Sequence, residues 1–561
     1  MNVLLIALLA LPLVGALLTL APGLLGTAGA GAGGGSGEPG DTGGGSSDQV
    51  GRRWLRLGAV VTGADLVLAI ALAAGFDRDH TARMQAVTDL NWIPAVNVRF
   101  HLGVDGISLP LLLLTALLTF LCALYSLWRL PAGPGPRAWT GLLLLLETGM
   151  LGTFAVLDLV LFFLAFEIVL VPMYFLIARW GGEGRGPAAY RFILYTLLGS
   201  AVMLLGFLLI GIKAGTFDMT VLAHRHGAGL SHQTQVLAVL AIGIGLAVKA
   251  PMFPFHSWLP DAHTAAPTAG SVLLAGVLLK MGTYGFVRVL LPVAPDGMHT
   301  FAPYLGALAA VGIVYGSLAC LALVRPGARG DLKRLIAFSS VGHMGFVLLG
   351  IATLTSTGVN GALFANIGHG LITGLLFFLV GAIKDRYGTA DLDRLAGTTG
   401  AALYGRAPRL GALLAFGAVA SLGLPGLAGF WGELLAMFGA FRPAAGLDRS
   451  AFLVFMTLAG LGTLLTAGYL LNVVRRVCMG DPARTGTGAP DLTPGQPARP
   501  GTVGAAGAGG ANGNPAGIAD VHGYEAATWA PLAALTVLAG LWPAVLLGLS
   551  NPAVKALLGG S

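Results

Sequence analysis

Seven titratable side chains stand inside long apolar runs: Glu147, Glu167, Lys249, Lys280, Glu433, His343 and His369. An ionised group at the centre of a bilayer costs about 2.5–3.5 kcal/mol on insertion scales, so each marks a candidate site for moving or holding a small ion. Acids, lysines and histidines together suit the proton. Burial in a low dielectric favours the neutral form of such a group, and an opposite charge nearby favours the ionised form. A glutamate that approaches or leaves a lysine therefore governs whether that lysine keeps its proton. Histidine titrates in the neutral range and suits an intermediate step.

The elements that must position these groups are membrane helices. The chain has 561 residues, 55% hydrophobic and 10% charged, whereas a soluble protein carries roughly 25% charge. Apolar runs of about 20 residues, the length that crosses a hydrocarbon core, recur from end to end. They give an all-α polytopic membrane protein of about 14 spans, near 3–22, 54–75, 107–128, 139–157, 159–179, 190–212, 235–259, 268–292, 303–324, 334–353, 359–383, 408–440, 450–474 and 527–549. Asp158 is the turn that divides the fourth span from the fifth. At 1.5 Å per residue, Glu147 and Glu167 then lie about 14–16 Å from one face. Lys249 and Lys280 fall near the middle of their spans, so four charges form a row across the membrane.

Two spans are interrupted. Pro251 and Pro254 follow Lys249, and Gly423, Pro425, Gly426 and Gly429 precede Glu433. Proline removes a helix hydrogen bond, and irregular backbone at membrane depth is tolerated only in protein or along a water-filled cavity. The broken helix is fourth of five in both 139–292 and 303–474, and the two breaks are about 170 residues apart, the signature of an inverted repeat. The expected organisation is therefore three N-terminal spans (1–138, with a Gly-rich loop at 23–51), a first five-helix repeat (139–292), an inverted second repeat (303–476), a low-complexity loop (477–524) and a final span (525–561).

Other chemistries are excluded. Cys122, Cys320 and Cys478 lie too far apart for a zinc or disulfide pattern and are too few for iron–sulfur ligation. No Lys follows a Gly, so there is no Walker A loop, and the Gly-rich stretch 31–45 follows no strand. The net charge of +7 is spread over short loops and indicates no nucleic-acid partner. Of the 32 Lys and Arg residues, Lys249 and Lys280 sit inside spans, about 21 follow odd-numbered spans and about nine follow even-numbered ones. Basic loops stay cytoplasmic, which puts both termini on the extracytoplasmic side. The first apolar segment lacks a basic n-region and is expected to be retained.

Several stretches are recognisable. Phe166-Glu167-Ile168-Val169-Leu170-Val171-Pro172-Met173-Tyr174, the run from Lys249 through Trp258-Leu259-Pro260-Asp261-Ala262-His263 to Val272, Asp331-Leu332-Lys333-Arg334-Leu335-Ile336-Ala337-Phe338-Ser339-Ser340 and Phe100-His101-Leu102-Gly103-Val104-Asp105-Gly106 resemble the antiporter-like membrane subunits of bacterial NADH-quinone oxidoreductase, respiratory complex I. The motifs around Lys249 and Asp331 are shared with subunits L and N and with multi-subunit sodium/proton antiporters. The pattern beginning at Glu167 and the acid at Glu433 favour the subunit M branch. Only the two low-complexity loops depart from the family pattern.

The resemblance implies a proton-translocating subunit in the bacterial cell membrane. Glu167 and Lys249 would be the interacting pair of the entry half-channel, Lys280 the connecting lysine, His343 and His369 the relay, Glu433 the terminal acid and Glu147 an extra acid. It also implies no cofactor or metal in this chain, with NADH, FMN, iron–sulfur clusters and quinone handled by other subunits, and L-like and N-like membrane neighbours. Against this stands the plainer reading that buried charges only fix helix packing. Asp158, Asp261 and His263 are expected at the interface as turns or caps, and Asp65, mid-way along the second span, has no partner in the sequence. A cation/proton antiporter subunit, a membrane-bound hydrogenase subunit and a structural scaffold of a respiratory complex are the alternatives.

Overall fold

The second helix of each expected five-helix repeat begins on an aspartate. Asp158 accepts backbone N–H bonds from Val160 and Leu161 at 2.9 and 3.2 Å, and Asp331 accepts from Lys333 and Arg334 at 2.8 and 3.1 Å, satisfying donors that a helix start leaves unpaired. Each is also clasped to a second aspartate. Leu159 N–H donates to Phe217 O and Met219 N–H to Leu157 O, at 2.9 and 2.8 Å, beside the bridge Asp158–Asp218. Leu332 N–H donates to Ala390 O and Leu392 N–H to Gly330 O, at 2.9 and 2.7 Å, beside Asp331–Asp391. The hydroxyls of Thr216 and Thr389 accept the N–H of Asp218 and Asp391, both at 3.1 Å. The two clasps recur at one interval, roughly 170 residues. Five membrane-length helices separate Asp158 from Asp331, so the clasps sit at opposite ends of the bundle.

The computed structural model describes residues 1–20, 44–397, 402–480 and 519–559, with the side chains of 44–48 outside the description. Most of the expected loops 23–51 and 477–524 lies outside the described residues, but a helix already begins at Gly44 and runs to Ala74. Among the described residues, twelve helices are long and apolar enough to cross a membrane, and the pair Gly523–Leu541 and Ala544–Leu557, bent by 66°, makes a thirteenth. The expected span 408–440 is two short helices, Pro408–Ser421 and Ala428–Phe441. Gly423 and Gly426 supply the break with φ of +72° and +92°, values that favour glycine.

Thr268–Val293, buried from Ala269 onward, forms the axis of the bundle. It contains two π-helical turns, Leu274–Leu278 and Phe286–Leu290, a distortion often found at functional sites. The all-α expectation needs one addition. Gln85–Ile93 and Val98–Val104 pair as an antiparallel hairpin, with Asp89 opposite His101.

Candidate functional site

Lys280 lies between the two π turns of the axial helix and is fully buried. Its ammonium donates to the carbonyl of Ala275, within the first π turn, and bonds His369 Nδ1 at 2.6 Å. His369, on the Ser356–Tyr387 helix, stands 5.7 Å from His343 between ring centroids. His343, on Leu332–Ala352, bonds Glu433 Oε1 through Nδ1 at 3.0 Å and Ser421 Oγ through Nε2 at 2.9 Å. Thr463 donates to the other carboxylate oxygen of Glu433 at 3.5 Å. The break at Gly423–Gly426 is what presents Ser421, the last residue of its helix, to the same histidine as Glu433. A cavity of about 20 Å³ between His343, His369, Ser421 and Glu433 has room for one water molecule. Four of the seven expected residues thus form one polar run across three helices and the axis.

Lys249 ends the His232–Lys249 helix, where Pro251 stops it, and Trp258 Nε1 donates to the freed carbonyl of Val248 at 3.0 Å. Its ammonium lies over the Phe166 ring, 4.5 Å from the centroid, with no hydrogen-bond partner among the described residues. Glu167 ends the Leu159–Ile168 stretch, one turn before Pro172, and is only part-buried, with Ser200 beside it. Lys249 and Glu167 feel each other's charge but make no ion-pair contact. The expected interacting pair is therefore held apart, with the ammonium facing an aromatic ring instead.

Glu147 does not join the run. It is fully buried on Pro136–Ala155, with the carboxyl of Asp65 beside it, which gives Asp65 the partner the sequence did not reveal. Other corrections follow from packing. His263 is fully buried, its ring stacked on Phe377 at 4.6 Å, because the short Trp258–Ala265 helix packs against Leu332–Ala352. Asp261 is no cap: it pairs with Arg191 at 2.5 Å and Arg334 at 3.5 Å. Arg288 is a third cation inside the spans, buried against Asp105 at 2.5 Å and donating to Tyr284 Oη at 3.1 Å. A lone Arg within the apolar run 268–292 is the signal that could have found it.

At the hairpin end, His101 bonds Asp218 at 2.7 Å. Burial pushes the Asp218 carboxyl up, but the bonds from His101 and Thr220 outweigh it and hold the group down to about 2. Asp89, His101 and Asp218 bring three possible metal ligands within 4.8 Å of one another. Arg99 already holds both oxygens of Asp89 at 2.7 Å, so the cluster is satisfied as ion pairs.

A family model described as NADH:quinone oxidoreductase/Mrp antiporter, TM matches residues 156–465. The chain belongs to this family. It is 38% identical over 516 residues to NADH-quinone oxidoreductase subunit M of Rhodobacter capsulatus, covering 90% of each chain. It is 42% identical over 429 residues to NAD(P)H-quinone oxidoreductase chain 4 1 of Synechococcus sp., covering 76% of this chain and 78% of that one. Among solved structures it is similar to a chain of respiratory complex I from Thermus thermophilus with bound NADH, at TM-score 0.75 and 29% identity over 99% of both. The Mrp complex from Dietzia sp. shares the fold, at TM-score 0.75 and 23% identity over 100% of this chain and 98% of that one. Family membership makes this a multi-pass, antiporter-like membrane subunit.

Proposed function

We propose that this chain is the subunit M of a proton-translocating NADH-quinone oxidoreductase. The observation that carries the reading is the buried run Lys280–His369–His343–Glu433, in which each neighbour is a group that takes up or gives up a proton. Glu167 and Lys249 form the entry region, Lys280 connects it to the histidines, and Glu433 is the terminal acid. A proton leaving Lys280 has His369 Nδ1 as its acceptor, and the His343 ring offers one nitrogen to Ser421 and the other to Glu433. Residues 139–292 and 303–476 act as two inverted half-paths, a layout supported by the repeated aspartate clasp. The chain itself takes no part in redox chemistry; NADH, FMN, iron–sulfur clusters and quinone belong to other subunits, and L-like and N-like subunits flank it. Both termini face the outside of a bacterial plasma membrane, with the translocase activity belonging to the assembled complex.

The test is Lys249→Ala in the complete complex, reconstituted in vesicles. Proton uptake should be abolished while NADH oxidation with a water-soluble acceptor continues. Normal proton uptake in that variant contradicts the proposal.

A further inference from the structure

The run just described leaves two buried acids unused. Asp65, on Gly44–Ala74, and Glu147, on Pro136–Ala155, are both fully buried where these helices pack together, about one turn beyond Val61 and Leu144, which belong to one apolar cluster. The two helices run side by side in register: Gly58 lies against Thr140, and Asp65 and Glu147 each stand seven residues further along, which brings the two buried carboxyls together. None of the four oxygens has a donor among the described residues, and no described cation forms an ion pair with either group. Two ionised carboxylates in contact, out of water and without a counter-charge, repel strongly and lose their solvation. A first proton removes the repulsion, because one carboxyl then donates to the other, and a second removes the remaining buried charge.

We propose that Asp65 and Glu147 form a carboxyl pair that shares one proton, a further proton-holding site beside the main run. The pair cycles between one bound proton with a net single negative charge and two bound protons with none; no other bond forms or breaks. Asp65 is a positioning residue, setting how Glu147 holds its proton. The shared proton requires only the two acids and their surroundings, whereas a contribution of the pair to transport rests on the function proposed above.

The experiment is infrared difference spectroscopy of the assembled complex in vesicles, in light and heavy water, comparing Asp65→Asn, Glu147→Gln and the double variant. A shared proton makes the carboxyl bands of the two residues one coupled system, so Asp65→Asn should shift or abolish the band that Glu147→Gln removes. The double variant should then lose no more than the single ones. Independent bands, with losses that add, overturn the pair. Should Asp65→Asn fail to assemble, Asp65→Glu reads the same coupling, since it keeps the proton-sharing chemistry but moves the oxygen. Proton uptake is measured alongside: coupled bands with equal uptake defects in all three variants place the pair in transport, whereas coupled bands with normal uptake support the shared proton and remove Glu147 from the path.

Discussion

The two halves of the bundle start alike and end differently. In each, the second helix begins on an aspartate clasped to a second aspartate with the same backbone exchange. In the first half, the acid and the lysine stand apart, Lys249 resting over Phe166 and Glu167 left part-buried. In the second half, the titratable groups are closely linked: His343 bonds Glu433, and His369, 5.7 Å from His343 between ring centroids, reaches back to bond Lys280 at the end of the first half. The difference teaches that a shared scaffold does not dictate the state of the groups it carries. A gap suits a region where approach and separation of opposite charges control the proton, and a bonded run suits one where protons pass between fixed neighbours.

Breaking the bonded half should have the largest effect. Glu433→Gln keeps the shape but removes the acid, and proton uptake by the complex should fall by about 100-fold, within the range of general acid–base contributions. Uptake near the unmodified level would assign Glu433 to packing. Next comes the separated half: Phe166→Leu removes the ring that faces Lys249, an interaction of about 2 kcal/mol when desolvated. Proton uptake should slow by roughly tenfold or more, and an unchanged rate would show that the ring only fills space.

The clasps provide a third comparison, because only the first is tied to the hairpin through His101. The Asp218 carboxyl is held to about 2, below its ordinary value near 4, so its stabilisation is fully present above that ordinary value and is lost as the pH falls through about 2. Asp218→Asn should cost about 2 kcal/mol at neutral pH, read as a lower temperature of heat-induced disassembly, and the deficit should shrink as the pH drops below about 4. Asp391→Asn, whose carboxylate caps backbone N–H groups and has no histidine partner among the described residues, should lose less. The smallest effect is expected for Ser421→Ala, which removes one neutral bond to His343, worth about 1 kcal/mol, and should slow uptake about fivefold. An effect as large as that of Glu433→Gln would make Ser421 part of the route.

Much of this was legible in the sequence because a membrane penalises misplaced charge so heavily. Glu433 and Lys280 stood out in apolar runs, and the glycines and proline before Glu433 announced the broken helix that the structure shows at Leu422–Leu427. The helix start at Asp158 was equally visible. What spacing along one chain does not contain is rotation about the helix axis. It set Lys249 over Phe166 rather than on Glu167, turned Glu147 toward Asp65 and drew His263 inward onto Phe377. Arg288 went unread for a different reason: it lies close enough to the end of its run to pass for an interfacial residue, and only its pairing with Asp105 reveals it as buried. The hairpin 85–104 escaped because two short strands in a loop leave little trace beside thirty-residue helices.

The central claim is that protons cross the junction between the separated half and the bonded half at Lys280. The most direct measurement is proton uptake per NADH oxidised in vesicles carrying the complete complex with Lys280→Met, which keeps the length of the side chain and removes its charge. The account predicts that oxidation of NADH with a water-soluble acceptor continues while proton uptake collapses. Uptake at the unmodified ratio would contradict it.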